Sequence, residues 1–303
     1  MMGVAGSIAL ALAPDVMIIA LGMLLGRFLE NTLWVALDKL CFFVFFPALM
    51  FTAAAARPIG LSDTTSIGVA VWVLIGLGFV LAWPLRRIGP ASFLDFAGVW
   101  QTAWRFNAGL AFVVAQALPQ EAAALMAVAI GLAVPLANIL AVGALARGAG
   151  QTVGPVFKAI VTNPFFLASS AGLFVGASGQ PLPATAELTL DRLAAVAIPA
   201  ALLSIGASLN LRVLWGLNGL TSGFHLIKLI LLPLFAFGLA KVMDFNSTQT
   251  SVVVLFCALP TAAAAQTLAA RFGADRRGPA EIIAQSTGLA CITLPMWIAI
   301  VVS

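Results

Sequence analysis

Apolar stretches of about 20 residues recur along the chain between short polar breaks, and that is the length of a helix that spans a bilayer. Reading between the breaks gives spans at 14–29, 34–55, 65–85, 96–118 and 122–146 in the first half. The second half gives 164–179, 191–210, 221–241, 248–270 and 279–302, of which the first is short for a full crossing. Strands of a membrane barrel would alternate apolar and polar residues, whereas the runs at 41–56 and 125–146 are continuous. The pattern predicts an all-α integral membrane protein with ten transmembrane helices.

Composition agrees with that pattern and excludes other classes. Of 303 residues, 62% are hydrophobic and only 9% charged, with a mean hydropathy of +1.10; a soluble domain carries about 25% charged residues. The net charge of +4 comes with no basic run longer than Arg86-Arg87 or Arg276-Arg277, so a nucleic-acid partner is not expected. Cys41, Cys257 and Cys291 lie far apart inside apolar runs and read as packing residues, not as a disulfide or metal site. Tyrosine is absent, which leaves the tryptophans as interfacial anchors, with Trp34, Trp83 and Trp215 at span ends. The first 13 residues lack the charged start of a signal peptide and read as an interfacial extension.

Lys and Arg in the links set the orientation. Links after odd-numbered spans carry nine (Arg27, Arg86, Arg87, Arg147, Lys158, Arg212, Arg271, Arg276 and Arg277), against three after even-numbered spans (Arg57, Arg192 and Lys241). Positive links stay in the cytoplasm. The expectation is a multi-pass protein of the bacterial inner membrane with both termini periplasmic.

The two halves nearly repeat. Gly22-Met-Leu-Leu-Gly26 recurs as Gly172-Leu-Phe-Val-Gly176 at an offset of 150, and Pro47-Ala-Leu as Pro199-Ala-Ala at 152. Asn107-Ala-Gly aligns with Pro260-Thr-Ala at 153. This predicts a first five-helix repeat at 1–146, a cytoplasmic link at 147–163 and a second repeat at 164–303. Five is odd, so the second copy enters the membrane from the other side, as in the inverted repeats of many secondary transporters. The Gly-x-x-x-Gly segments fit a homodimer contact and packing within one chain equally well.

Helical rise places Arg105, Asn107 and Pro260 ~14–18 Å into their spans, near the centre of a core about 30 Å thick. A mid-helix proline frees a carbonyl, and Asn tolerates irregular backbone. The spans carrying Asn107 and Pro260 are therefore expected to be broken helices, whose half-helix N-termini would face an anion. Ordinary kinks are the alternative. Arg105 has no acidic residue at its depth, since Asp38 and Asp95 read as span-end residues. Its partners are left as backbone carbonyls, a reach to one of those aspartates, or a substrate carboxylate. Thr261 and Gln266 join the candidate binding residues, with Gln101, Asn138, Gln285, Ser286 and Thr287 as further polar positions in spans. Lys228 reads as snorkelling to the interface, and His225 as a polar residue near the surface or a proton relay.

At these residues the chain resembles the auxin efflux carrier family, which includes plant PIN-type carriers and bacterial malonate-type permeases. The resemblance is carried by Phe42-Phe-Val-Phe-Phe-Pro-Ala-Leu-Met50, Arg105-Phe-Asn107, Asn163-Pro164, Ile198-Pro-Ala-Ala-Leu-Leu-Ser-Ile-Gly206 and Ala258-Leu-Pro-Thr-Ala262. It implies two inverted repeats with crossing helices, a fold shared with bile acid/sodium symporters. It also implies a panel of spans 1, 2, 6 and 7 beside an elevator-like transport core, and an organic carboxylate as substrate. The family's asparagine at the first crossing is matched by Asn107. The short central link resembles bacterial members. The first-crossing proline of plant members is absent, which puts auxin itself in doubt as the substrate.

The expected function is secondary transport of small organic anions by alternating access in contact with membrane lipid, with no cofactor and no metal. Arg105 and Asn107 are expected on the carboxylate, Pro260 and Thr261 on the second broken helix, and Gln266 beside them. The alternatives are a sodium-coupled symporter of bile acid type and a passive anion channel. An intramembrane enzyme would need a dyad or metal cluster, for which one histidine and no buried carboxylate pair give no basis.

Overall fold

The computed structural model describes residues 14, 17–56, 60–115, 118–119, 121–151, 162–208, 216–262 and 264–302. Among these residues every regular element is helical. That is what a chain in lipid requires, because each backbone N–H and C=O must be satisfied inside its own segment. Six helices are long and apolar enough to cross a membrane, and two shorter apolar helices accompany them. The N-terminal extension, Trp215, Lys158 and most of the central link fall outside the described residues.

The helices, in chain order, are α1 (17–25), α2 (Asn31–Ala55), α3 (Leu61–Leu81), α4 (Phe93–Trp100), α5 (Ala108–Ala115) and α6 (Glu121–Gly148). They continue with α7 (Pro164–Ser178), α8 (Ala184–Ser208), α9 (Gly219–Val242), α10 (Ser247–Ala258), α11 (Ala264–Arg271) and α12 (Arg277–Val302). Their starts are written in the sequence. Asn163 Oδ1 accepts from Phe165 N at 2.9 Å, with Pro164 in the first turn, and α7 ends at Gly179 with φ +64°. Asn218 with Thr221 and Asn246 with Gln249 form capping boxes that open α9 and α10.

Prolines inside helices are accommodated locally. Pro233 lacks the N–H that would bond Leu229 O, and a π-helical segment, Ile227–Leu231, precedes it. The freed Leu229 carbonyl accepts instead from Trp297 Nε1 at 2.9 Å. Trp72, Trp100 and Trp104 likewise donate to the carbonyls of Leu132, Phe79 and Ala137. Several tryptophans thus tie helices together where the sequence suggested interfacial anchors. Trp34, expected at the interface, is only 8% exposed, while Trp83 is exposed as expected.

The packing has two groups. In one, α2 lies on α7 and α8, and α1 lies on α8 through glycines. A Cβ on Gly22 would run into the Leu203 carbonyl, and one on Gly26 would stand 2.9 Å from Ala207 Cα. A Cβ on Gly172 would stand 2.6 Å from Phe51 O. These glycines of the Gly-x-x-x-Gly segments are therefore occupied by contacts within the chain. In the other group, α3 packs on α6, α10 on α6, α9 and α12, and α4 on α6, α11 and α12. The groups meet where α6 touches α2 and α7, and where α5 touches α8. Side chains such as Phe43, Phe174, Val80 and Ile292 leave large apolar surfaces on the outside, as lipid contact requires.

Span 2 begins earlier than hydropathy suggested. With α2 starting at Asn31, Asp38 is seven residues into the helix, ~11 Å along it, and not at its end. Its carboxylate accepts a short hydrogen bond from Ser204 Oγ on α8.

Candidate functional site

The chain is interrupted twice, and the interruptions touch. α4 opens on Ser92, whose Oγ accepts from Asp95 N at 3.3 Å, and it closes in a tight turn at Gln101–Ala103. Residues 105–107 are not helical, and α5 starts at Ala108. In the second half α10 stops at Ala258, residues 259–262 are irregular, and α11 starts at Ala264. Asn107 N donates to Pro260 O at 2.8 Å, so each break supplies what the other lacks.

Asn107 does more than tolerate irregular backbone. Its Oδ1 accepts from Gly109 N at 3.0 Å and Leu110 N at 3.3 Å, which makes it the N-cap of α5. Half-helix α5 therefore points its positive end into the break. Gly109 is needed there because a Cβ would stand 2.8 Å from the Phe46 ring and 3.2 Å from Asn107 Oδ1. At the second break Thr261 N donates to Ser286 Oγ on α12 at 3.4 Å. The Thr261 hydroxyl, 1% exposed, has no hydrogen-bond partner among the described residues. A buried hydroxyl without a partner loses about 1–3 kcal/mol of solvation, so it is a free donor and acceptor at the crossing.

Arg105 is held by neutral oxygens. Its guanidinium donates to Gln101 Oε1 at 3.2 Å and to Asn138 Oδ1 on α6 at 3.0 Å. Among the described residues no carboxylate pairs with it, and neither Asp38 nor Asp95 reaches it. Asp38 is held by Ser204, and Asp95 accepts from Asp275 N. The partners are thus side-chain amides, which the sequence analysis did not assign to Arg105. A charge at this depth costs at least ~2.5–3.5 kcal/mol on insertion scales, and two neutral acceptors leave its charge unneutralised. Gln101 also donates through Nε2 to Gly98 O at 3.2 Å and to Ala265 O at 3.0 Å, tying the first broken helix to the start of α11.

Four of the five candidate residues thus meet in one network: Arg105 through Gln101, Asn107 and Pro260 directly, and Thr261 beside Pro260. Gln266 follows Ala265 on α11 and is half-buried, but its side chain makes no hydrogen bond to a described residue. Gln101, Asn138 and Ser286 are the partners missing from the expected site. The four-residue spacing of Gln101 and Arg105, one helical turn, is the signal that points to the first of them.

Lys228 turns inward, not to the interface. It is 3% exposed, and Nζ donates to Cys257 O at 3.2 Å. Its cation sits at the C-terminal end of α10, where unpaired carbonyls gather negative potential just before the break. His225, one turn earlier on α9, is also buried. The surface cleft lined by Phe79, Trp83, Trp100 and Arg147 does not include any residue of the crossing.

These features define a polytopic helical membrane protein organised around two interrupted helices in contact. Residues 151–298 match the model of the membrane transport protein family. An "Uncharacterized transporter" of Methanothermobacter thermautotrophicus is 30% identical over 142 residues, 47% of this chain and 47% of that protein. That match spans about half the length of the relative. A protein of Rhizobium meliloti named "Putative malonate transporter" is 26% identical over 264 residues, 82% of this chain and 81% of its own.

Proposed function

We propose that the protein is a secondary transporter of small organic carboxylates, with malonate the first substrate to try. The observation that carries this is the pairing of an unneutralised guanidinium with two half-helix N-termini at one crossing. A carboxylate there would take the charge-assisted bonds that Gln101 and Asn138 hold now, with the free Thr261 hydroxyl beside it. Asn107 and Pro260 keep the breaks open, and Gln266 extends the same wall. The relative named for malonate supports the substrate class.

The same reading has α4 with α5 and α10 with α11 each as one span, which makes ten in two inverted repeats at 1–146 and 164–303. Support comes from matched contacts: Gly22 lies on Leu203 O and Gly172 on Phe51 O, and these pairs are related by the offsets of 150 and 152 found in the sequence. The group formed by α1, α2, α7 and α8 would be the stationary panel, and the group holding the breaks the body that moves as an elevator. Both termini would be periplasmic in a bacterial inner membrane.

Purified protein in liposomes tests this. Addition of malonate and a panel of mono- and dicarboxylates is expected to give saturable uptake and counterflow that Arg105→Ala removes. Flux that never saturates would make the protein a channel, and a strict sodium requirement would make it a bile acid-type symporter. No uptake of any carboxylate would overturn the reading.

A further inference from the structure

We infer that His225 Nδ1 is a proton-binding atom inside the transport core, and that this proton is coupled to the anion at the crossing. The second half of this statement rests on the carboxylate reading above. The first half rests on geometry.

His225 is 5% exposed, and its Nε2 lies 2.9 Å from Gln285 Oε1 on α12. Gln285 Nε2 in turn donates to Glu281 Oε1 at 3.2 Å. These two bonds fix the tautomer. A carboxylate accepts hydrogen bonds and cannot donate, so Glu281 turns the amide nitrogen of Gln285 towards itself. The amide oxygen is then left facing the imidazole, and Nε2 must carry the hydrogen. In the neutral ring Nδ1 is therefore the bare, basic nitrogen, and it is buried with no partner among the described residues. A histidine placed only for packing would turn its lone pair to a donor, since an unpaired buried acceptor is disfavoured. Here the lone pair is left vacant while the opposite nitrogen is held.

A proton arriving from water adds to that lone pair, no bond in the protein breaks, and the site gains one positive charge. Glu281, half-buried on the cytoplasmic side under the expected orientation, is one amide away and favours that charge. The other charged groups facing His225 are cationic or engaged. Lys228 on the same helix is turned to Cys257 O, and the Cys257 thiol belongs to α10. The turn Trp83–Arg87 packs Leu85 on Gly223 and brings Arg86, bound to the carbonyls of Pro90 and Ala91, and Arg87. The turn Gln101–Ala103 also touches the first half of α9, and the next charge along it is Arg105. A proton on His225 therefore joins Lys228 and Arg105 in a low-dielectric core, where a third positive charge is disfavoured unless an anion enters. α12 also links the sites directly: Gln285 holds His225, and the next residue, Ser286, holds Thr261 N at the second break. Proton and carboxylate should then strengthen each other's binding by the same factor, which is the condition for symport.

His225 is the chain's single histidine, so 15N-histidine labelling gives one imidazole to follow by NMR in nanodiscs. The expected result without ligand is an Nε2–H tautomer at alkaline pH that takes its proton at Nδ1 on acidification. The Gln285→Leu variant should lose the tautomer preference. Malonate is expected to raise the proton affinity of the ring about tenfold, within the usual range of coupling between sites. An Nδ1–H tautomer, or a ring that stays neutral to pH 4.5, would overturn the proton site. A midpoint unmoved by malonate, in protein that does carry malonate by counterflow, would overturn the coupling. Normal titration with no carboxylate carried at all would establish the proton site and overturn the carboxylate reading instead.

Discussion

The two breaks solve one geometric problem with different chemistry. The first ends α4 with a tight turn, places Arg105 in the gap and restarts as α5 under the cap of Asn107. The second ends α10 at a proline, runs through Thr261 and alanines, and restarts as α11 with no side-chain cap from a described residue. One break is opened by a cap that stabilises the new helix, the other by a residue that disables the old one. The cations differ as well. Arg105 is in the first break itself and is met by neutral amides, whereas Lys228 reaches the second from outside and is spent on a helix carbonyl. Charge available to a ligand is therefore concentrated at the first break, and the second supplies shape and a hydroxyl. The two breaks thus take unequal parts.

If that division is right, removing Arg105 should have the largest effect of any single change. Losing a charged partner of a buried carboxylate costs about 2–5 kcal/mol, ~30-fold to several thousandfold in affinity. Arg105→Ala is expected to lose carboxylate counterflow by about 100-fold or more, with the melting temperature nearly held because removing an unneutralised buried charge offsets the donors that Gln101 and Asn138 lose. Arg105→Lys should recover only part, since an ammonium cannot span two acceptors as a planar guanidinium does. Scintillation counterflow and a thermal shift assay read the two sides. A fall in stability equal to the fall in transport would move Arg105 from the ligand to the scaffold.

The group formed by α1, α2, α7 and α8 provides the contrast. Gly22 and Gly172 each lie against a backbone carbonyl and touch neither break, so a larger side chain there should damage folding and not ligand binding. Overpacking costs typically ~1–3 kcal/mol and more against backbone. Gly22→Val and Gly172→Val are expected to lower the melting temperature alike, with malonate affinity unchanged in whatever fraction folds. An effect confined to one of them would separate the halves of the proposed repeat.

Lys228→Met retains the length of the side chain but removes its charge, and so strips Cys257 O of a donor. An unsatisfied buried carbonyl costs about 1–3 kcal/mol. The expectation is a destabilisation in that range, read by thermal shift, and a smaller loss of transport than Arg105→Ala. A loss of transport as deep as that of Arg105→Ala would mean that the second break also offers its cation to the ligand.

Much of this is legible in the sequence. The membrane class follows from apolar run length, and the breaks were expected from Asn107 and Pro260 at one depth. What sequence could not supply was direction. A lysine stem three residues past His225 reaches the interface or the interior equally well, and only the unpaired carbonyl at the end of α10 decides between them. Hydropathy placed the start of span 2 at 34, because it weighs side chains, whereas the helix begins at Asn31 on backbone bonding. That shift carries Asp38 inside, to Ser204. For Arg105 the sequence left backbone carbonyls, an aspartate or a substrate carboxylate open as partners, whereas two amides hold it, one from a helix 33 residues away.

Asn107 gives the smallest expected effect and the finest distinction. As an N-cap it contributes about 1 kcal/mol, the usual loss on replacement by Ala. Asn107→Ala should therefore destabilise by roughly that much, and Asn107→Ser, which still caps, by less. Asn107→Asp separates cap from ligand site. Its carboxylate accepts from Gly109 N and Leu110 N as well as the amide does, and it favours the helix N-terminus electrostatically, so stability should be retained or slightly raised. The same negative charge sits two residues from Arg105, would compete for that guanidinium and would repel an incoming carboxylate. A stable Asn107→Asp protein that has lost malonate counterflow would place the anion at the α5 N-terminus. Full counterflow in that variant would leave Asn107 as a cap alone and move the carboxylate away from the first break.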